Sequence, residues 1–206
     1  MTTIRTIEAL QEIYGEPLER ALWKEIDHIN PHYQKFIEKS PFLILSTRGE
    51  QGIDCSPRGD APGFVRVIDE KHIQIPDRRG NNRVDSLRNI VTNPEVGLLF
   101  LIPNVGETIR LSGKAEIIAD DTLCQSFAVQ GKPASTVLSI SVDKVYYQCQ
   151  KAIVRSGLWN PENHINRDEL PTAGAMAKVF STMRNIDFDA EEYDKNYPEY
   201  MKKTIY

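Results

Sequence analysis

The chain has 206 residues, 40% hydrophobic and 26% charged, with a formal net charge of −4. This length and composition suit one sizeable globular unit. The net acidity argues against a general nucleic-acid-binding protein, which would carry a broad basic surface.

The first 41 residues are predicted to be helical. Thr6 is a typical cap before the first helix, and Gly15 is a typical stop after it. Apolar residues at helical spacing follow between positions 18 and 29. Asn30-Pro31 ends that second helix, and Pro41 ends a short third one.

From Phe42 the pattern changes to that of β-strands at hairpin spacing. The predicted strand segments are "FLILSTRG", "IDCSPRGD", "GFVRVIDEKHIQIPD", "EVGLLFLIP", "ETIRLSGKAEIIAD" and "STVLSISVDKVYYQC". Helical spacing returns inside this region at "NRVDSLRNIVTNP" and near "DTLCQSFAVQG". About six antiparallel strands with one inserted helix favour a closed barrel over a parallel sheet.

The last part of the chain, from Gln150, is again predicted to be helical. No repeat, low-complexity tract or flexible linker divides the chain. The sequence therefore predicts a mainly β fold of the α+β class in a single domain, residues 1–206. A barrel at 42–149 stands between a helical N-terminal extension, 1–41, and a helical C-terminal extension, 150–206.

Three scattered cysteines, Cys55, Cys124 and Cys149, form no CxxC pattern and are predicted to be reduced thiols. The four histidines show no paired spacing, so no metal site is predicted. The longest apolar runs, "FLIL" and "VGLLFLI", are shorter than the roughly 20 residues of a membrane span, and no signal peptide is visible. The sequence thus predicts a cytoplasmic protein without membrane or nucleic-acid partners.

The stretch "IPDRRGNNR", residues 75–83, joins a predicted strand to a predicted helix. Gly80 permits a tight turn, and Pro76 removes an N–H where sheet pairing stops. A helix starting near 82–84 would present unpaired N–H groups, which favour an anion. Cations and amides accompany it: Arg78, Arg79, Arg83, Asn81 and Asn82. The stretch predicts a phosphate site, with an ordinary solvated turn as the alternative.

Two further segments combine arginine with hydroxyl groups. "CSPRGD" places Ser56, Arg58 and Asp60 at a strand end, and "ETIRLSG" places Thr108 and Arg110 on one face of a strand. Converging at a barrel rim, these side chains could bind one phosphate and its polar neighbours. The alternative is a half-exposed strand with the usual alternating polar residues.

Four segments taken together carry a family resemblance: "CSPRGDAPGFVRVID", "IPDRRGNNRVDSLRNIVTNPEVGLLFLIP", "ETIRLSGKAEI" and "KAIVRSGLWNP". In this order, from about Phe42 to Pro161, they resemble the pyridoxamine 5′-phosphate oxidase-like family of FMN-binding split barrels. The resemblance is to a branch of FMN-dependent enzymes without an assigned substrate. It implies a six-stranded Greek-key split β-barrel that forms a homodimer, with FMN in two clefts shared by both subunits.

The resemblance also implies which residues contact FMN. They are Arg58, Pro76, Asp77, Asn81, Asn82, Arg83, Thr108, Arg110, Arg155 and Trp159. The strand-to-helix joint would hold the phosphate, and Arg58 would lie beside the flavin ring and ribityl chain. Arg155 and Trp159 would reach the flavin from the partner chain.

The function implied is an FMN-dependent oxidoreductase that moves hydride or electrons between the flavin and a small organic substrate or nicotinamide. Pyridoxamine phosphate is not the expected substrate, because the Trp-containing strand and the Arg-and-His segment that bind it in the authentic oxidases are missing here. No acid or base residue is assigned. The alternatives are a non-catalytic flavin-binding module for storage or sensing, a deazaflavin-dependent reductase, and a small regulator that binds nucleic acid through its arginines.

Overall fold

A computed structural model of the chain describes residues 3–206. The helices are α1 (Ile7–Tyr14), α2 (Glu19–Trp23), α3 (Pro31–Lys39), α4 (Asp85–Thr92), α5 (Asp121–Ser126), α6 (Lys151–Ser156), α7 (Ala173–Met183) and α8 (Ala190–Thr204). The strands are β1 (Phe42–Gly49), β2 (Gly52–Gly59), β3 (Arg66–Val67), β4 (His72–Asp77), β5 (Glu95–Leu101), β6 (Thr108–Ile118) and β7 (Thr136–Gln148). Two short 3₁₀ turns, Pro161–Asn163 and Arg167–Glu169, lie between α6 and α7.

All seven strands form one antiparallel sheet in the order β2-β1-β5-β6-β7-β4-β3. The predicted mainly β fold with helices is therefore confirmed. Residues 3–206 contain seven strands where about six were predicted, because the segment "GFVRVIDEKHIQIPD", which the sequence breaks at Asp69-Glu70-Lys71, forms the two strands β3 and β4. The pairing leaves β2 and β3 as the two edges of an open sheet, so closure into a barrel stays a prediction.

The main core lies against one face of this sheet. In β1 the side chains alternate, so that Leu43 and Leu45 are fully buried while Ile44 and Ser46 are only half-buried. Ile37 of α3 and Ile90 of α4 pack into the same core, which fixes both helices on that face. Placing α4 there also fixes the loop that precedes it.

The helical ends are packed more loosely than the sheet. Thr6 caps α1 as predicted, and Gly15 follows it with φ 65°, yet α1 buries no residue. The second helix is shorter than predicted, ending at Trp23, because Ile26 pairs with Val145 at the sheet instead. Helices α7 and α8 pack on each other. Within residues 3–206, no helix is both long and apolar enough to cross a bilayer.

Candidate functional site

A cavity of about 690 Å³ opens between the ends of β2 and β4, the start of β7 and the N-terminal end of α4. The register of β4 with β7 places Asp77, the last residue of β4, opposite Thr136, the first residue of β7, and both line the cavity. The loop 78–84 then turns away from the sheet and closes one side of the cavity.

The loop differs from its predicted form. Helix α4 begins at Asp85, so Asn82 and Arg83 precede it. The left-handed backbone falls at Asn82 (φ 60°) and Val84 (φ 51°), while Gly80 faces open space. Asparagine tolerates this conformation, but a β-branched valine in it is strained by about 1–3 kcal/mol.

An ion pair joins the ends of β2 and β4 at the cavity wall. The Nη1 group of Arg58 donates to Oδ1 of Asp77, and the two side chains are 19% and 13% exposed. Both residues were predicted to lie in the site, and the structure places both on the cavity wall. Because both charged groups are largely removed from water, each depends on the other for its stability.

A second ion pair stands beside the first. Arg78 Nε donates to Asp60 Oδ2 at 2.9 Å, and Arg78 Nη1 donates to the carbonyl of Phe127 at 2.7 Å. Asp60 is only 3% exposed, so Arg78 is held in place and is not the mobile cation that its loop position indicated.

The remaining charges of the cavity are nearer to solvent. Arg83 Nε donates to Asp85 Oδ2 at 2.8 Å, and Ser86 donates to Asp54 at 2.7 Å. Arg79 is exposed on the loop and makes no ion pair within residues 3–206. The charge of Arg79 is therefore available to bind an anion.

Two buried polar atoms in the cavity wall have no hydrogen-bond partner within the described chain. They are Nε of Arg58 and Oγ1 of Thr136. An unmade hydrogen bond of this kind costs about 1–3 kcal/mol, and such groups in a native protein call for an explanation. Both residues line the cavity, so a shift of either side chain on ligand binding would bring its unpartnered atom to hydroxyl or acceptor oxygens of the ligand.

The other predicted residues lie elsewhere: Thr108, Arg110, Arg155 and Trp159. Together with Tyr146, the neighbour of Arg110, they are called here the distal face. The Arg110 guanidinium lies 5.1 Å from the ring centre of its cross-strand neighbour Tyr146. Trp159 Nε1 donates to the carbonyl of Val105 at 2.9 Å, and Arg155 is exposed on α6.

Within one chain the residues of the distal face do not line the cavity. Asp77 pairs with Thr136 at the start of β7, whereas Thr108 pairs with Gln148 at its end. Those two β7 positions are separated by about 40 Å of strand at ~3.3 Å per residue. The path across the sheet is shorter, because Arg110 lies three strands from Pro57 of the cavity lining, through Leu99 and Ile44. Three strand spacings correspond to roughly 14 Å. The structure therefore gathers Arg58, Pro76, Asp77 and the loop residues in one place and leaves the distal face apart.

Sequence reasoning missed Thr136 as a site residue. The only sequence signal was a hydroxyl at the start of a strand that is otherwise apolar on that side. Thr136 lies opposite Asp77 because of the register of β4 with β7, which the sequence does not show. Within residues 3–206, no group of three His, Cys, Asp or Glu side chains stands close enough to hold a metal ion.

Comparison with known proteins bears on the same region. The family profile described as pyridoxamine 5′-phosphate oxidase matches residues 29–149. No curated protein matches the sequence.

Three solved structures illustrate the structural similarity. Group A Streptococcus HupZ is 17% identical, with a TM-score of 0.49 over 59% of this chain and 94% of that one. An FMN-binding protein from Syntrophomonas wolfei is 12% identical, with a TM-score of 0.43 over 68% and 95%. A pyridoxamine 5′-phosphate oxidase-related, FMN-binding protein from Nostoc punctiforme is 13% identical, with a TM-score of 0.37 over 56% and 78%.

Proposed function

The chain belongs to the pyridoxamine 5′-phosphate oxidase family, and from this premise we propose that its cavity binds the phosphate and ribityl end of FMN. On this proposal residues 1–206 act as a single flavin-binding domain built on a split barrel. The observation that carries it is the pair of buried atoms without partners in residues 3–206, Arg58 Nε and Thr136 Oγ1, on two side chains that line one cavity.

The ribityl chain fits these two atoms chemically. Its hydroxyl groups both donate and accept, so they can receive the Arg58 Nε–H and pair with the Thr136 hydroxyl in either sense. Asp77 accepts a hydrogen bond from Nη1 of Arg58. This ion pair fixes the direction of the Arg58 side chain, and Nε has no partner of its own in the described chain. Binding would then recover the hydrogen bonds that the protein alone leaves unmade.

The phosphate fits the loop 78–83. Within residues 3–206, Arg79 is exposed there without a counter-charge, and Arg83 has only a solvent-exposed pair with Asp85, which costs little to exchange. Arginine binds phosphate oxygens through two parallel N–H groups. The amides Asn81 and Asn82 add neutral donors at the cavity rim.

Bound FMN would supply hydride or electron transfer to a small organic substrate or a nicotinamide, which makes an FMN-dependent oxidoreductase the proposed activity. The chain's own part is to orient the cofactor. Arg58 and Arg78 are each held by a carboxylate, so little side-chain freedom is lost when they meet the ligand.

A homodimer would bring the distal face of one subunit to the cavity of the other. The exposed positions of Arg110 and Arg155, outside the cavity lining of their own chain, support this arrangement. The outer sheet surface beside Arg110 is also partly apolar, with Ile44 paired to Leu99 and Leu99 paired to Arg110.

The cavity proposal is tested by titrating the purified protein, stripped of flavin, with FMN. Replacing Arg79 by alanine is expected to weaken binding about 10- to 100-fold, the value of one hydrogen-bonded charge contact. Arg88→Ala is the matched control, because Arg88 is exposed on the adjacent α4 but lies outside the cavity. Equal affinities of the two variants, or no FMN binding by the unmodified protein, would overturn the proposal.

The dimer proposal is tested by mixing two defective variants. Arg79→Ala impairs the cavity, and Trp159→Ala impairs the distal face. If each site uses one region from each subunit, a mixed dimer contains one site with both defects and one intact site. Mixing after dissociation should therefore restore strong binding at up to half of the sites in the mixed dimers, and no restoration would exclude a shared site.

A further inference from the structure

Asp60 is a buried carboxylate whose oxygen atoms are all engaged. Its Oδ2 accepts from Arg78, and its Oδ1 accepts from the backbone N–H of Ala61 at 2.8 Å and from the hydroxyl of Tyr206 at 2.7 Å. With the Asp60 side chain 3% exposed, water cannot easily replace a missing donor. Tyr206 is therefore one of the groups on which the buried charge depends.

Tyr206 reaches Asp60 from a distant part of the sequence. It follows α8, whose helix packs on α7, and returns to the sheet beside the cavity. Lys132 Nζ donates to the backbone carbonyl of Tyr206 at 2.6 Å, and the Arg78 guanidinium stands 5.8 Å from its ring centre. Backbone, ring and hydroxyl of this residue are thus each fixed by a different group.

Arg78 connects Tyr206 to the cavity. Of its five N–H groups, one is used by the Phe127 carbonyl and two face Asp60, which leaves two donors on a side chain that lines the cavity. The Tyr206 hydroxyl takes up part of the negative charge of Asp60. Without it, Asp60 would oppose an anion in the cavity more strongly and attract Arg78 more strongly toward itself.

We infer that Tyr206 is a positioning residue for the phosphate of the bound cofactor, acting through Asp60 on Arg78. This inference rests on the proposed function. It assigns to the segment after α8 a part in cofactor binding without any contact between Tyr206 and the cofactor. The effect is specific for the charged end of the ligand, because it operates through the field of Asp60 and Arg78.

The test compares FMN with riboflavin, which has the same ring and ribityl chain but no phosphate. Tyr206→Phe is expected to weaken FMN binding about five-fold, the lower range of couplings between sites, and to leave riboflavin affinity unchanged. Tyr200→Phe is the control, since Tyr200 is an exposed tyrosine of the neighbouring α8. Both ligands are titrated by quenching of flavin fluorescence.

The outcomes separate the two proposals. If Tyr206→Phe binds FMN as tightly as the control, or loses FMN and riboflavin affinity equally, the positioning role is excluded while the flavin site stands. If the unmodified protein binds neither flavin, the proposed function fails, and the inference fails with it. A loss confined to FMN supports both.

Discussion

The cavity and the distal face were predicted to serve one ligand, yet they are built differently. In the cavity, arginines are paired with largely buried aspartates, and two polar atoms of its lining residues have no hydrogen-bond partner in the described part of the chain. On the distal face, Arg110 is exposed and rests on the ring of Tyr146. The cavity is thus organised by ion pairs within a single chain, whereas the distal face is an exposed surface whose part in flavin binding, on the proposed function, requires a second subunit.

The largest difference between the two regions should appear on removing one arginine from each. Arg58→Met leaves Asp77 as an unpaired, largely buried carboxylate, which should lower the free energy of unfolding by about 3 kcal/mol. Arg110→Met is the matched change on the distal face and should cost less than about 1 kcal/mol. Urea denaturation of both variants measures the contrast, and equal losses would show that the regions do not differ in this way.

A smaller effect, with opposite signs in the free and bound protein, is expected at Thr136. Thr136→Val replaces an unpartnered buried hydroxyl by a methyl group of similar shape, which should stabilise the flavin-free protein by up to about 1 kcal/mol. The same change should weaken FMN binding about five-fold, because a hydrogen bond to the ribityl chain is lost. Thermal unfolding with and without FMN checks both signs, and a destabilised free protein would contradict the interpretation.

The aromatic partner on the distal face offers a finer test. Tyr146→Leu removes the ring beneath Arg110 and should cost about 0.5–1 kcal/mol at this exposed site. In the double variant with Arg110→Met the two losses should not add, because they report one interaction. Additive losses would mean that the ring and the guanidinium are independent.

The smallest expected effect concerns the exposed ion pair between Asp27 and Lys71. Hydrogen bonds from Lys71 and His28 lower the pKa of Asp27 from 3.8 to about 2. The folded-state pKa is depressed, so this contribution to stability is complete above pH 3.8 and is lost as pH falls toward 2. Carboxyl NMR titration should give a midpoint near 2 that rises in Lys71→Met, and an unchanged midpoint would exclude the pair.

Much of the sheet could be predicted because its signals are local. The apolar run in "FLILSTRG" predicts β1 at the observed residues, and the turn residues after it, 49–52, set the hairpin with β2. The end of the second helix could not be predicted correctly, because the apolar positions at helical spacing continue through Ile26. In the structure Ile26 pairs with Val145 of β7 and is not part of the helix. Local spacing says nothing about which distant strand competes for a residue.

The same limit explains the outcome at the site. Arg58 and the loop arginines could be proposed from arginine beside hydroxyl or amide groups at strand ends, and Asp77 from the family resemblance; the structure places all of them around one cavity. The pairing of Arg58 with Asp77, the left-handed Val84 and the place of Thr136 depend on strand register and loop closure. Tyr206 meets Asp60 only because α7 and α8 bring the chain back to the sheet.

The two edges of the sheet have a consequence for how copies of this chain can meet. Edge strand β2 carries Pro57, which has no N–H to offer to an added strand, and edge strand β3 is only two residues long. Continuous β-sheet across two molecules is therefore disfavoured at either edge. Any stable association has to use side chains on faces, which also protects the protein from strand-by-strand aggregation.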